Sequence, residues 1–322
     1  MIIWLILRVV LLHNIHSFPM TETIKSKWYY QLLAAPLLLL MMLPLSLLYL
    51  LSDMLYYIMY YMIGYRKKVV YTNLHNAFPD KSAAEIDAIA KKYYRYLIDL
   101  MIETYKVVNL SKRELKRRCT YDEASVQLLD SFYQNNQSVI MVLGHWGNWE
   151  WGGHSFMMHH PYPSYVLYHP IKNPFFNWLT AKIRMRFGMN LLNMHLAAKK
   201  MIALRKQRTI TAFIADQTPS NPKDALWLTF LSQPTPVLTG AEFMAKKLNF
   251  PVAYASVKRL RRGYYHVSFK LVTDNPAATS ENEITEKYTR LLEQDIISCP
   301  ETWLWSHRRW KHKPPTSGAA EK

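Results

Sequence analysis

The sequence predicts an α/β fold with a mixed central sheet flanked by helices, because strand-like and helix-like segments alternate along most of the chain. Three observations carry this. The run 138–143, Ser-Val-Ile-Met-Val-Leu, is aliphatic and bounded by Asn135-Asn136-Gln137 and Gly144, as a buried strand would be. Similar runs recur at 165–168, 209–214, 252–257 and 264–272, and between them lie helical patterns at 173–187, 197–206 and 239–248. Arg261-Arg262-Gly263 separates the last two strand runs closely enough to predict an antiparallel hairpin.

Residues 1–27 form an N-terminal extension in which an apolar stretch, Ile2 to Leu12, is broken by Arg8 and lacks a signal-cleavage site. Met20, following Pro19, is an alternative start. From Trp28 to Leu51 no residue is charged, and those 24 positions would span about 36 Å as a helix, enough for one transmembrane segment kinked at Pro36 and Pro44, with a hydrophobic hairpin or interfacial anchor as the alternative. Tyr56, Tyr57, Tyr60, Tyr61 and Tyr65 then lead into Arg66-Lys67-Lys68, an aromatic-to-basic order that suits a membrane interface and puts the remainder of the chain on the cytoplasmic side. After a Pro79 to Ser82 turn, apolar residues at helical spacing predict an amphipathic helix over 83–108. The expected organisation is an anchor at 28–51, one domain at 52–313 and a disordered tail at 314–322.

Half of the 322 residues are apolar and 14% are aromatic, which excludes a disordered chain. Two cysteines, Cys119 and Cys299, are too few for a disulfide framework and suit a reducing, cytosol-facing compartment. The net charge of +17 implies an anionic partner. No helix-turn-helix, zinc-finger or RNP-like pattern accompanies the basic groups, so the partner is not expected to be nucleic acid.

The segment from Gly144 to Gly153, Gly-His-Trp-Gly-Asn-Trp-Glu-Trp-Gly-Gly, follows the first strand run and carries the chemistry. Within one helix, His145 and Glu150 would point about 140° apart, so only a strand-to-helix turn can bring them together. Asn148 is a good N-cap, which puts Glu150 in the first helical turn. A neutral imidazole accepts a proton near pH 7, and a carboxylate on its other nitrogen would fix the tautomer. There is no G-x-S-x-G elbow and no cysteine beside the histidine, so the substrate is expected to supply the nucleophile. His154, His159, His160 and His169 match no zinc-binding spacing, and no metal or other cofactor is expected.

Several separated blocks resemble the lauroyl and myristoyl transferases that act late in lipid A biosynthesis, within the lysophospholipid acyltransferase superfamily. They are Arg66-Lys67-Lys68-Val69 with Asn73-Leu74 and Phe78-Pro79; His145 to Glu150; Tyr168-His169-Pro170 with Asn173-Pro174; Lys182 to Arg186; Phe213 to Gln217; and Pro300 to Lys311. The resemblance implies a glycerol-phosphate-acyltransferase-like fold at the bacterial inner membrane, moving an acyl chain from acyl carrier protein to a hydroxyl of a membrane glycolipid, the lipid A precursor. It implies His145 as general base with Glu150 as its orienting partner, and Arg184 near the active site, with Arg186 a rival for that place. Asp216, at the end of a strand run, stands where α/β sheets display functional groups, and a structural turn role is the alternative. Asn148, Arg308 and Arg309 complete the candidate substrate contacts, although the basic run from His307 to Lys311 also reads as a solvated segment packed by tryptophans. Two other readings stand beside this one: a lysophospholipid or aminolipid acceptor, and a non-enzymatic basic membrane adapter.

Overall fold

The computed structural model describes residues 26–222 and 225–314. Most of the predicted N-terminal extension and nearly all of the predicted tail lie outside the described residues. The first helices are α1 (Trp28–Leu40) and α2 (Leu45–Tyr57), the latter running into a π-helical turn at Ile58–Ile63. The single span expected over 28–51 is therefore corrected to two helices. Pro36 is tolerated inside α1, but the chain leaves the helix at Met41 and restarts after Pro44, which cannot donate to the preceding turn and disfavours helical backbone at Leu43. Lys106 satisfies the broken end: its ammonium donates to the carbonyls of Met41 and Leu43, each at 2.8 Å. Of the two, only the helical stretch Leu45–Ile63 is long and apolar enough to cross a membrane. Leu32, Leu33, Leu47, Leu50 and Met54 are exposed along this pair.

There follow α3 (Lys67–Ala77), α4 (Ala83–Lys106), α5 (Lys112–Arg118), β1 (Cys119–Tyr121), α6 (Glu123–Gln134), β2 (Val139–Leu143), α7 (Trp149–His159) and β3 (Ser164–Tyr168). The second half continues as α8 (Pro174–Arg184), β4 (Asn190–Asn193), α9 (Ala197–Leu204), β5 (Ile210–Ile214), β6 (Leu226–Phe230), β7 (Gln233–Val237), α10 (Gly240–Leu248), β8 (Val252–Arg261), β9 (Tyr264–Thr273) and α11 (Glu283–Ser298). Helix α4 starts at a capping box in which the Ser82 hydroxyl accepts from the Glu85 N–H and the Glu85 carboxylate accepts from the Ser82 N–H.

Seven strands form one sheet in the order β1-β9-β8-β2-β5-β3-β4, and β6 pairs with β7 in a separate hairpin. Within the large sheet β8 and β9 are antiparallel, as their Gly263 turn predicts, and every other pairing is parallel. The sheet is thus mixed. Strands β2 and β5 are central, with Val139 opposite Ile210 and Leu143 opposite Ile214. Their C-terminal ends lie side by side, and the functional loops leave from there.

An ionic cluster centred on the buried Asp99 ties α2 to this frame. Asp99 on α4 accepts from Ser52 on α2 at 2.6 Å and pairs with Arg259 and Arg262, at 2.7 and 2.6 Å, from the β8–β9 hairpin. Arg262 also reaches Asp53 at 2.9 Å. The C-terminal segment folds back against the N-terminal half: the Asn73 amide donates to the carbonyls of Trp305 and His307, and Arg66 donates to the Ser306 carbonyl, all at 2.9 Å. Distant basic and aromatic blocks of the sequence meet here.

Candidate active site

Beyond Leu143 the chain turns sharply into α7, and His145 sits on that turn. Gly147 takes φ +60°, and a Cβ there would lie 1.6 Å from the Val257 carbonyl oxygen, so glycine alone fits. Asn148 caps α7 as expected, accepting from the Trp151 N–H at 2.9 Å. Helix α4 braces the turn, since the Tyr96 hydroxyl donates to the Gly147 carbonyl at 2.6 Å and the Trp151 indole to the Glu103 carbonyl at 2.8 Å. The fully buried Glu103 carboxyl accepts from Asn148 at 2.6 Å, Tyr265 at 2.5 Å and Tyr49 at 2.7 Å. Burial pushes its pKa up, and the Tyr265 and Tyr49 hydroxyls and the Arg259 charge oppose the rise. Both ends of the Asn148 amide are therefore engaged inside the protein.

The carboxylate on the His145 ring belongs to Asp216. Nδ1 of His145 lies 2.6 Å from Oδ1 of Asp216, while Oδ2 accepts from the His145 backbone N–H and from the Trp303 indole, both at 2.8 Å. Burial alone would raise the Asp216 pKa, but the His145 ring and these donors hold it down to about 2. An ionised Asp216 requires a donor, so the His145 proton sits on Nδ1 and Nε2 is left as acceptor. The Gln217 amide approaches Nε2 only to 3.5 Å. Trp149 meets the imidazole edge-on at 4.8 Å between ring centres and limits its tilt.

Glu150 lies in the first turn of α7, as expected, yet its hydrogen bonds run to Arg184 at the end of α8. The guanidinium donates from Nε at 3.1 and 3.2 Å and from Nη2 at 2.5 Å. Burial would raise the Glu150 pKa, but Arg184 prevails and the pKa is lowered. Next along the helix, His154 is fully buried with neither ring nitrogen bonded, and burial lowers its pKa to about 4. Arg186 points elsewhere, donating to the Val107 carbonyl.

An apolar cavity of about 80 Å³ runs beside this turn, lined by Leu143, Trp149, Gly153, Phe156, Ala212 and Val257, with Glu150 and Arg184 also in its wall. A Cβ on Gly152 would approach the Val257 side chain to 2.9 Å, and one on Gly153 would approach Met189 equally closely. The two glycines let α7 sit close to the sheet and leave the slot open.

The C-terminal run splits by burial. Arg308 is exposed, whereas Arg309 is 2% exposed and donates to the Pro236 carbonyl at 2.9 Å. His307 accepts from the Thr218 N–H at 3.1 Å, and burial lowers its pKa to about 4. Among the described residues no three His, Cys, Asp or Glu side chains group as a metal site. Sequence reasoning reaches His145, Glu150, Arg184 and Asp216 individually. It misses the Trp303 indole on Asp216 and the Glu103 brace, because both depend on elements distant in the chain.

The family model described as "Bacterial lipid A biosynthesis acyltransferase" matches residues 17–312. A lipid A biosynthesis acyltransferase of Haemophilus influenzae is 25% identical over 253 residues, covering 77% of this chain and 78% of its own. The lipid A biosynthesis palmitoleoyltransferase of Escherichia coli K12 is 24% identical over 251 residues, covering 77% and 80%. The lauroyltransferase of the same strain is 21% identical over 252 residues, again covering 77% and 80%.

Proposed function

We propose, from the premise that this chain belongs to the bacterial lipid A biosynthesis acyltransferase family, that it moves an acyl chain from acyl carrier protein to a hydroxyl of a lipid A precursor, with His145 as general base. The observation that carries the reading is the 2.6 Å contact between His145 Nδ1 and Asp216, which leaves Nε2 as a proton acceptor. Nε2 takes the proton of the acceptor hydroxyl as its oxygen attacks the thioester carbonyl. The tetrahedral intermediate collapses with cleavage of the C–S bond, and the imidazolium returns the proton to the departing thiolate. Asp216 stabilises the imidazolium and holds the ring. Glu150 acts one step further out, fixing Arg184 in the wall of the cavity, where its guanidinium meets negative charge on the intermediate or on a lipid phosphate. The apolar slot beside the turn is suited to the acyl chain.

The exposed apolar side chains of α1 and α2 support a membrane-seated enzyme, and the basic run Arg66-Lys67-Lys68 that follows them favours a catalytic domain on the cytoplasmic face of the inner membrane. The net charge of +17 suits an anionic donor, whether an acidic carrier protein or a coenzyme A thioester, and the family resemblance carries the preference for the carrier protein. The test is a transfer assay in mixed micelles with acyl carrier protein thioester and three acceptors: a lipid A precursor, a monoacyl glycerophospholipid and an aminolipid. Transfer to the lipid A precursor is expected. Transfer only to the glycerophospholipid or the aminolipid would overturn the acceptor, and transfer to none would leave a basic membrane adapter as the better account.

A further inference from the structure

Arg309 is a cation that the proposed chemistry leaves unused. It is almost fully buried, bonds one carbonyl through Nη1, and has no hydrogen-bond partner at Nε among the described residues. Nor does it form an ion pair among those residues. A guanidinium withdrawn from water without a counter-ion is costly, so its neighbours matter. It lines a cavity of about 10 Å³ together with Asp216, Tyr254, Tyr288 and Thr289, and the carboxylate in that wall is Asp216, the one bonded to His145.

The other charged or titratable groups near the pair do not duplicate it. From the turn and α8 come Glu150 and Arg184, which neutralise each other. From the C-terminal segment come His307, which accepts from a backbone N–H, and Lys311, which is exposed. From β8 and α11 come Tyr254, bonded to Asp295, and Tyr288, bonded to the Leu238 carbonyl.

We propose that Arg309 is a positioning residue for the acyl transfer, acting through Asp216: its buried charge faces the carboxylate across the shared cavity and disfavours uptake of a further proton by the Asp216–His145 pair. The inference rests on His145 being the base. It assigns a role to a residue that bonds no part of the His145 ring.

The test is kcat/KM against pH for the full-length protein and three variants. Arg309→Met removes the charge at similar volume, Arg309→Gln removes it but keeps an amide to reach the Pro236 carbonyl, and Arg309→Lys keeps it. The acidic limb should move upward by about half to one pH unit in the Met and Gln variants and stay within a few tenths in the Lys variant. An unmoved limb in Arg309→Gln, with melting temperature lowered equally in all three, would reduce Arg309 to its contact with Pro236 and overturn the inference. Asp216→Asn separates the layers: near-normal activity and profile there would sink the base assignment itself, whereas an inactive Asp216→Asn with an unmoved Arg309→Gln limb sinks only the role of Arg309.

Discussion

His145 and Asp216 stand 71 residues apart, the same offset that sets Val139 opposite Ile210 and Leu143 opposite Ile214 in the parallel pair β2–β5. The dyad is therefore a continuation of strand register. Two residues past the end of each strand, the pairing carries over from backbone to side chain, and the close contact needs only that both chains keep step for two more residues. A one-residue slip between β2 and β5 would separate them.

The buried pair of Glu150 and Arg184 should behave as one unit. Glu150→Gln leaves a guanidinium largely buried without its counter-charge, and a loss of about 3 kcal/mol of stability is expected, the low end for a buried pair because Arg184 keeps some exposure. A double-mutant cycle with Arg184→Met, read by thermal unfolding, should show strong non-additivity. Additive losses would mean that the two side chains work independently and that Glu150 serves something other than Arg184.

Stability should fall with acid in a window set by His154 and His307, whose pKa values burial lowers to about 4, and by Asp216. The His154 pKa is lowered to about 4 from an unperturbed 6.5, so the unfolded chain takes up its proton first and stability is lost as pH falls from about 6.5 to 4. Asp216, held at about 2, contributes stability above its unfolded value near 4 that is lost as pH falls toward 2. His154→Phe, which keeps an aromatic ring against Phe187, should flatten the upper part of the unfolding-versus-pH curve by about one proton. An unchanged slope would show that His154 is not the group responsible.

Lys106 holds the break between α1 and α2. In Lys106→Met the carbonyls of Met41 and Leu43 lose their donor, and the variant should be destabilised by about 1–3 kcal/mol, measured in detergent by thermal or denaturant unfolding. A neutral result would mean that other donors take over at this bend.

The apolar slot should set donor preference by volume. Ala212→Phe, on β5 in its wall, should lower kcat/KM for a long acyl chain by about tenfold relative to a chain four carbons shorter, measured with matched carrier-protein thioesters. An equal loss for both lengths would place the acyl chain elsewhere.

Much of the sheet is legible in the sequence because β2, β3, β5, β8 and β9 are compact β-branched or aliphatic runs bounded by turn residues. Strand β7 is not, since Pro234 and Pro236 interrupt the ladder of donors and only a two-stranded hairpin accepts them. Composition alone makes 28–51 one apolar span, while the backbone chemistry of Pro44 ends the first helix. Asp216 is visible as a strand-end carboxylate, but its partner depends on β2 and β5 being neighbours, an order that local periodicity does not encode. Arg309 is harder still. Inside a basic run it reads as solvated, and its burial comes from the return of the C-terminal segment against β7 and the Asp216 loop.

The initial rate of acyl transfer to the lipid A precursor by folded His145→Ala and Asp216→Asn proteins, at saturating donor and acceptor, tests the central claim most directly. Asp216→Asn preserves shape while removing the charge that holds the Nδ1 proton. The proposed dyad predicts that both variants lose roughly 10²-fold or more in kcat with their melting transitions retained. Near-normal turnover by either folded variant would contradict it.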